Sequence, residues 1–364
     1  MGSWLDQAAA RIAARTGTER LASHLEDRYG IGVTGTAELD LGVYRVDRRD
    51  GPSWIARLFP AARPAEAAAG DGRILRFLAE HDFPAERCAA PEPFSVLDGQ
   101  ALLVTEYLTP VPREQRRAAV RDLGGLRHLG EMLGRLHTLP PTADAGTNTR
   151  SDDGVGGGAR SGDGVGGGTV AAAIARDGGG WHHLVDGGPG DEVAAARGLL
   201  ADAASLVPAS GQARYASIRR ELDALDDCAG LPRALLHPDF VLRNVIASPD
   251  RGLVPVDWTG AGRGPRLWPL AWLLFTEGAR GLGRVDLVAA GYLRRVRPEP
   301  EELSRLPAAV PARMMILDAW SFCLGRKSLE EAARGVGEAR QLADAVAARA
   351  QTAFSKTPRA PRPR

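Results

Sequence analysis

Cysteine is nearly absent from this 364-residue chain. Only Cys88, Cys228 and Cys323 occur, an odd number, far apart and without the paired spacing of a zinc site. That argues against a disulfide framework or a thiolate-held structural metal, and predicts a protein of the reducing cytoplasm. A charge surplus is missing too. Lys plus Arg number 46 against 45 Asp plus Glu, so no global field recommends a nucleic acid or an anionic membrane surface as partner. No stretch approaches the roughly 18 apolar residues of a membrane span. The opening MGSWLDQAAARIAAR is broken by Asp6, which spoils both an apolar leader core and a myristoylation motif.

What is present is a chain with 44% hydrophobic and 25% charged residues, long enough for two lobes around a sizeable core. Residues 1–30 read as a helical segment, one or two Ala/Leu-rich helices closed by Gly30 and Gly32. Then the period changes. GVTGTAELDL, VYRVDR and SWIARLF read as strands, with Arg49-Asp50-Gly51 as a hairpin signal between the last two. A helix is expected from about Ala65 to His81, and PFSVL and ALLVTEYL flank a turn at Asp98-Gly99. Residues 31–108 thus predict a mostly antiparallel sheet with one helix inserted.

From Pro112 the pattern is helical, and Leu126, Leu129, Met132, Leu133 and Leu136 mark one apolar face of LRHLGEMLGRLHTL. Residues 143–179 hold two near-copies of a ten-residue unit, RSDDGVGGGA and RSGDGVGGGT. Such composition buries too little apolar surface to offset its chain entropy and predicts a disordered insertion. Helical periodicity resumes near 191 and runs to about 350, interrupted between 235 and 260. Residues 351–364 predict a frayed, basic, Pro-rich tail.

The interruption carries the chemistry. In LLHPDFVLRN, Asp239 follows His237 by two positions and Asn244 follows Asp239 by five; LVPVDW then ends a second apolar run at Asp257. The pattern predicts two short strands, each delivering a polar group at its exit. Phosphoryl transfer needs such a set: a carboxylate to orient and deprotonate the attacking hydroxyl, then an amide oxygen and a second carboxylate to hold magnesium. Capping of a turn by Asp239 and Asn244 explains neither Asp257 nor the upstream order of elements.

The His-x-Asp-x-x-x-x-Asn spacing and the Val-Asp-Trp strand resemble the aminoglycoside phosphotransferase family of the protein-kinase-like superfamily, over residues 33 to 325 or so. The resemblance implies an α+β, two-lobe, protein-kinase-like fold: a small, mostly antiparallel N-lobe over 31–108, a hinge near 106 to 110, and a larger helical C-lobe over 109–350. It implies ATP-dependent transfer of the γ-phosphate to a hydroxyl of a small molecule, an aminoglycoside-like antibiotic, a sugar or an amino alcohol, with no nucleic acid or membrane as partner. Asp239 would be catalytic and His237 would position the loop. Asn244 and Asp257 would hold Mg2+.

Arg57 stands where the family places a strand lysine against the nucleotide phosphates, with Asp71, or else Glu66, as the helix carboxylate that orients it. Backbone groups near Glu106 and Leu108 would meet the adenine edge. His137 is expected to be a packed residue, and Arg243 either neutralises the transferring phosphoryl group or stays solvated. The acceptor would bind after Asp257, where Trp258, Trp268, Trp272, Glu277 and Trp320 are candidate lining residues. Asp286, Glu299, Glu301 and Glu302 add acidic character that would suit an amine-bearing acceptor. Three features depart from the family: a single Gly42 in the first strand turn, Arg57 itself, and Pro269 where an Asp-Leu-Ala helix start is usual. They keep a second reading open, a catalytically weak kinase-fold module that binds nucleotide or a partner. No Asp-Phe-Gly or Ala-Pro-Glu segment marks a protein kinase.

Overall fold

Period-two alternation turns the segments expected as strands into one five-stranded antiparallel sheet. The computed structural model describes residues 17–122, 124–140 and 170–356. Helix α1 (Thr18–Tyr29) comes first and ends at Gly30, whose φ of 65° is the left-handed cap that glycine favours. Strands β1 (Val33–Asp40), β2 (Val43–Arg48) and β3 (Trp54–Leu58) follow; then α2 (Ala65–Glu80), β4 (Phe94–Leu97) and β5 (Gln100–Glu106). The spatial order is β1-β2-β3-β5-β4. At the β4–β5 turn both Asp98 (φ 52°) and Gly99 (φ 76°) take the positive φ that a tight hairpin needs.

Alternation also decides which way the functional residue of β3 faces. Trp54, Ala56 and Leu58, with Leu102 and Val104 of β5, pack against Leu21 and Leu25 of α1. Arg57 lies between Ala56 and Leu58 in sequence and so projects from the opposite face, the side on which Ala101 and Leu103 join Ile74, Leu75 and Leu78 of α2. One sheet thus separates a small core from the large one that continues into the helical half.

That half contains α3 (Arg116–Asp122), α4 (Gly125–His137), α5 (Val170–Ala175), α6 (Pro189–Asp202) and α7 (Gln212–Asp223), two small hairpin sheets, and α8 (Leu267–Gly278), α9 (Gly283–Tyr292), α10 (Pro300–Ala309), α11 (Ala312–Cys323) and α12 (Leu329–Lys356). The apolar face expected on α4 is buried. It meets α9 at a close crossing, where a Cβ on Gly291 would lie 1.9 Å from the Arg127 carbonyl oxygen. His137 is buried there with Nδ1 2.9 Å from the Tyr292 hydroxyl, a packed residue. The small sheets pair β6 (Arg233–Leu236) with β9 (Gly262–Pro265), and β7 (Val245–Ser248) with β8 (Gly252–Pro255).

The expected disordered insertion over residues 143–179 needs correction at its end. Residues 143–169 lie outside the described residues, as do 1–16 and 357–364 of the expected terminal segments. Val170–Ala175, however, is helical, and the segment after it is tied to β9. The Arg263 N–H donates to the Arg176 carbonyl (2.8 Å), and the Gly178 N–H donates to the Arg263 carbonyl (3.1 Å). A Cβ at Gly178 would stand 2.5 Å from the Gly262 Cα, so the glycine permits a backbone-to-backbone contact. Composition alone reads this glycine as chain entropy, whereas packing uses it for close approach.

Candidate active site

Two strand exits converge on the site. β6 ends at Leu236 and hands the chain to His237; β8 ends at Pro255, two residues before Asp257. The buried His237 ties the two exits together: its Nε2–H donates to the Val256 carbonyl (3.0 Å), and its Nδ1 accepts the Asp239 N–H (3.1 Å). Burial lowers its pKa, outweighing Asp257 and its other partners, so the ring is neutral in the single tautomer these bonds demand.

Asp239 is held by donors on both oxygens. Trp272 Nε1–H donates to Oδ1 (2.6 Å), while Arg243 and Asn244 Nδ2 each donate to Oδ2 (2.8 Å). Burial pushes this carboxyl up, but Arg243, then Arg313 and the indole N–H, more than offset it and hold the group below the usual range. Asn244 closes a short 3₁₀ turn, Leu242–Asn244, and also donates to the Asp239 carbonyl (3.0 Å). With its amide nitrogen so engaged, the Asn244 side-chain oxygen remains as an acceptor.

Asp257 adopts φ 69°, a left-handed conformation uncommon for a residue with a side chain. Its N–H donates to Glu86 Oε1 (3.0 Å), and its Oδ1 pairs with Arg57 at 3.1 Å. Oδ1 is buried, and no hydrogen bond besides that ion pair satisfies it. Burial works against the charge, yet the Arg57 guanidinium keeps this carboxyl well below the ordinary range. Asn244 Oδ1 and the Asp257 carboxylate are hard oxygen donors, the chemical type that magnesium takes.

The nucleotide side differs from expectation. Arg57 pairs with Asp257, and Asp71 is engaged by Arg63 (2.7 Å) and Arg176 (2.5 Å). Asp71 as the orienting partner of Arg57 is thus corrected: both line one small enclosed cavity with Glu86, Thr105 and Trp258, but α2 turns its carboxylate to other cations. Glu66, the other candidate, is paired with Arg73. The carboxylate nearest the expected role is Glu86, which sequence reasoning missed. It is buried, accepts the Thr105 hydroxyl (3.2 Å) besides the Asp257 N–H, and burial raises its pKa despite the facing Arg57.

The first strand turn is tight. A Cβ on Gly42 (φ 70°) would meet the Leu58 carbonyl oxygen at 2.5 Å, so this glycine serves contact with β3 rather than a phosphate cradle. At the hinge the Glu106 N–H donates to the Arg87 carbonyl (2.8 Å) and the Tyr107 N–H to the Ser53 carbonyl (3.0 Å). Among the described residues no hydrogen bond takes the Leu108 N–H.

The candidate tryptophans are all buried and divide by partner. Trp258 and Trp268 are core residues, Trp272 reaches Asp239, and Trp320 meets Trp181 edge-on at 4.9 Å. Each acidic residue singled out after Asp257 has an arginine partner, so this charge does not stand free to meet an amine-bearing acceptor. Glu277 is fully buried with Arg280 and Arg284, Asp286 pairs with Arg349, Glu299 and Glu302 with Arg266, and Glu301 with Arg305. Pro269 lies in the first turn of α8, where its missing N–H is tolerated.

This arrangement agrees with comparison to known proteins. Residues 37–306 match the model of the phosphotransferase enzyme family. The chain belongs to that family. Its activity is phosphoryl transfer to hydroxyl groups of small molecules. No curated protein sequence matches the chain. Among solved structures, macrolide 2'-phosphotransferase MphH from Brachybacterium faecium is similar with a TM-score of 0.51 at 20% identity, over 87% of this chain and 97% of that one. Choline kinase LicA from Streptococcus pneumoniae gives 0.55 at 13% identity, over 90% and 98%. A spectinomycin phosphotransferase, APH(9)-Ia, solved with ADP and spectinomycin, gives 0.54 at 13%, over 92% and 99%. At these identities the likeness establishes the kinase-like α+β fold of this family member. Among its described residues no helix is long and apolar enough to cross a membrane.

Proposed function

We propose that this family member transfers the γ-phosphoryl group of ATP to a hydroxyl of a small molecule, with Asp239 orienting that hydroxyl and accepting its proton. The observation that carries the reading is the convergence of Asp239, Asn244 and Asp257 through the neutral His237 bridge between two strand exits. Asp239 is a weak base, as its depressed pKa implies. A loose, metaphosphate-like transition state needs little proton removal before the phosphoryl group has left its donor, so positioning of the hydroxyl dominates. Trp272 fixes the carboxylate from Oδ1, and Arg243, more than half exposed, lies at its open side as a cation for the transferring group.

Asn244 and Asp257 would hold magnesium, which when bound neutralises charge on the phosphates. Arg57 supplies the positive charge expected of the strand cation, already drawn to Asp257. Leu108 offers its N–H to the adenine edge, beside Glu106 at the end of β5. The arginine-paired acidic residues weigh against a polycationic acceptor and leave sugars, amino alcohols and neutral antibiotics. A cytoplasmic location accords with three free cysteines.

An ATP-consumption screen of the purified protein against pooled hydroxylated metabolites and antibiotics, with Asp239→Ala as blank, tests this directly. Magnesium-dependent turnover abolished by the substitution is the expected result. One observation favours a second reading, a catalytically weak nucleotide-binding module: the strand cation sits on the metal-ligand candidate Asp257 while the first turn lacks a glycine cradle. Under that reading ATP stabilises the protein equally with and without magnesium, and no acceptor supports turnover.

A further inference from the structure

Asp71, only 1% exposed, joins three parts of the chain. Its Oδ2 accepts from Arg63 in the loop before α2, and its Oδ1 accepts from Arg176 (2.5 Å) and from the Gly260 N–H (3.2 Å). Arg176, directly after α5, spends its other donors on backbone carbonyls: Nη1 on Ala67 of α2 (2.6 Å), Nε and Nη2 on Ala261 (3.0 and 2.8 Å). Gly260 and Ala261 form the turn that follows Asp257. One guanidinium therefore bridges the helix of the nucleotide half to the segment leaving the metal-ligand candidate.

The sequence makes room for it at a single position. A Cβ on Gly70 would lie 2.2 Å from Arg176 Nη1 and 2.9 Å from Cζ. A glycine at this position lets the planar fork lie across α2, and a lysine ammonium, with its three donors on one nitrogen, does not reproduce the spread of Nε, Nη1 and Nη2 over the Asp71 carboxylate and two carbonyls. Arg63 serves only Oδ2, so without Arg176 the buried Oδ1 would keep the Gly260 N–H as its one donor, and a buried carboxylate oxygen short of partners is costly.

We propose that Asp71 and Arg176 are positioning residues that set the placement of Asp257, by clamping the turn over residues 258–261 against α2. The pair does for this turn what an ion pair between α2 and Arg57 would do for the strand cation. The clamp rests on the phosphotransferase reading only in assigning metal binding to Asp257; the hold on the turn is independent of it.

Three variants test the clamp. Arg176→Met keeps the stem and removes the fork, Gly70→Ala displaces the fork while retaining every charge, and Arg176→Lys restores only the charge. In the protein without ligand, hydrogen exchange of the amides of residues 257–262 is expected to quicken by about tenfold in Arg176→Met and Gly70→Ala, the scale of one charge-assisted hydrogen bond. Arg176→Lys should fall between these variants and wild type, and the peptide over 237–244 should be unchanged. The magnesium concentration that half-saturates thermal stabilisation by ATP should rise by a similar factor, with acceptor KM unaltered. A lower melting temperature with unchanged exchange at 257–262 and unchanged magnesium requirement would overturn the proposal and leave a packing role only. Quickened exchange in a protein that shows no magnesium-dependent stabilisation would uphold the clamp and reject the metal reading.

Discussion

The candidate catalytic loop and the side proposed to hold nucleotide are built on opposite plans. Within residues 237–244 and across to Val256 the contacts are made within about twenty positions of chain, with Trp272 on Asp239 the more distant addition. His237 bridges to Val256 and Asn244 to Asp239. On the nucleotide side the partners come from afar: Arg57 with Asp257, Glu86 with the Asp257 N–H, Asp71 with Arg176. The first region keeps its family spacing; the second has exchanged its ion pairs among residues that happen to meet at one place. Local bonds constrain spacing, whereas distant ones constrain only that some acid meets some base, so substitutions should separate the two regions.

The largest expected effect is at Asp239. Asp239→Asn keeps the volume and can still accept from Trp272 but loses the charge and the proton acceptor, so turnover should fall by about 10² to 10⁴. Magnesium-ATP should still raise its melting temperature, since Asp257 and Asn244 are untouched. At Asp257 the same replacement should remove binding as well as chemistry: asparagine tolerates the left-handed backbone at φ 69°, so the loss is that of a charged ligand rather than of the fold. The magnesium-dependent part of stabilisation by ATP should shrink together with turnover. A thermal-shift titration of both variants, with and without magnesium, reads the separation. Equal loss of the magnesium-dependent shift in both would mean the two carboxylates act as one site.

What could be read beforehand follows the same division. The strands, the helix on the sheet, the hairpin at Asp98-Gly99 and the set of His237, Asp239, Asn244 and Asp257 were legible because each rests on alternation, turn chemistry or short spacing. The partner of Asp71 was not legible, because Arg176 arrives from 105 positions away and from a segment whose glycines read as disorder. Glu86 gave no signal at all: a lone glutamate in FPAERC looks like a surface residue, and only the fold buries it. On sequence alone the acidic residues after Asp257 suited either an amine-bearing acceptor or a solvated face; the more distant of their arginine partners, such as Arg349 for Asp286, emerge only from the fold.

Two buried histidines sharpen the contrast through pH. Burial, followed by the nearby Arg266, lowers the pKa of His137 to about 3, and burial lowers that of His237 as well. Each is neutral in the native state while the unfolded chain protonates near pH 6.5, so the unfolded state binds more protons below that value. Stability therefore falls as pH drops below about 6.5, by up to roughly 1.4 kcal/mol per unit from His137 down toward its native value of about 3, with His237 contributing in the same direction. His137→Gln and His237→Gln should each flatten the melting-temperature profile over that window. Only His237→Gln should also reduce turnover, because His137 contacts Tyr292 rather than the loop. A profile unchanged in both would mean that neither histidine is neutral by burial.

The smallest expected effect concerns Arg57, and it tests whether the rewired side still handles phosphate. Of the 46 basic residues only Lys327 and Lys356 are lysines, so arginine at this strand position follows the habit of the whole chain and argues little for lost function. Arg57→Ala removes the cation beside Asp257 and should weaken magnesium-ATP binding by about tenfold, the scale of one charged hydrogen bond. Arg57→Lys keeps the charge but not the fork, so its loss should be a few-fold at most if the cation acts through charge alone. The direction for magnesium alone is opposite: Arg57 competes for the same carboxylate oxygen, and without it Asp257 should take the metal more readily in the absence of nucleotide. Isothermal titration with magnesium alone and then with magnesium-ATP separates these signs. Wild-type behaviour of Arg57→Ala in both titrations would mean the cation takes no part in nucleotide or metal binding and turn the balance toward the second reading, a catalytically weak kinase-fold module.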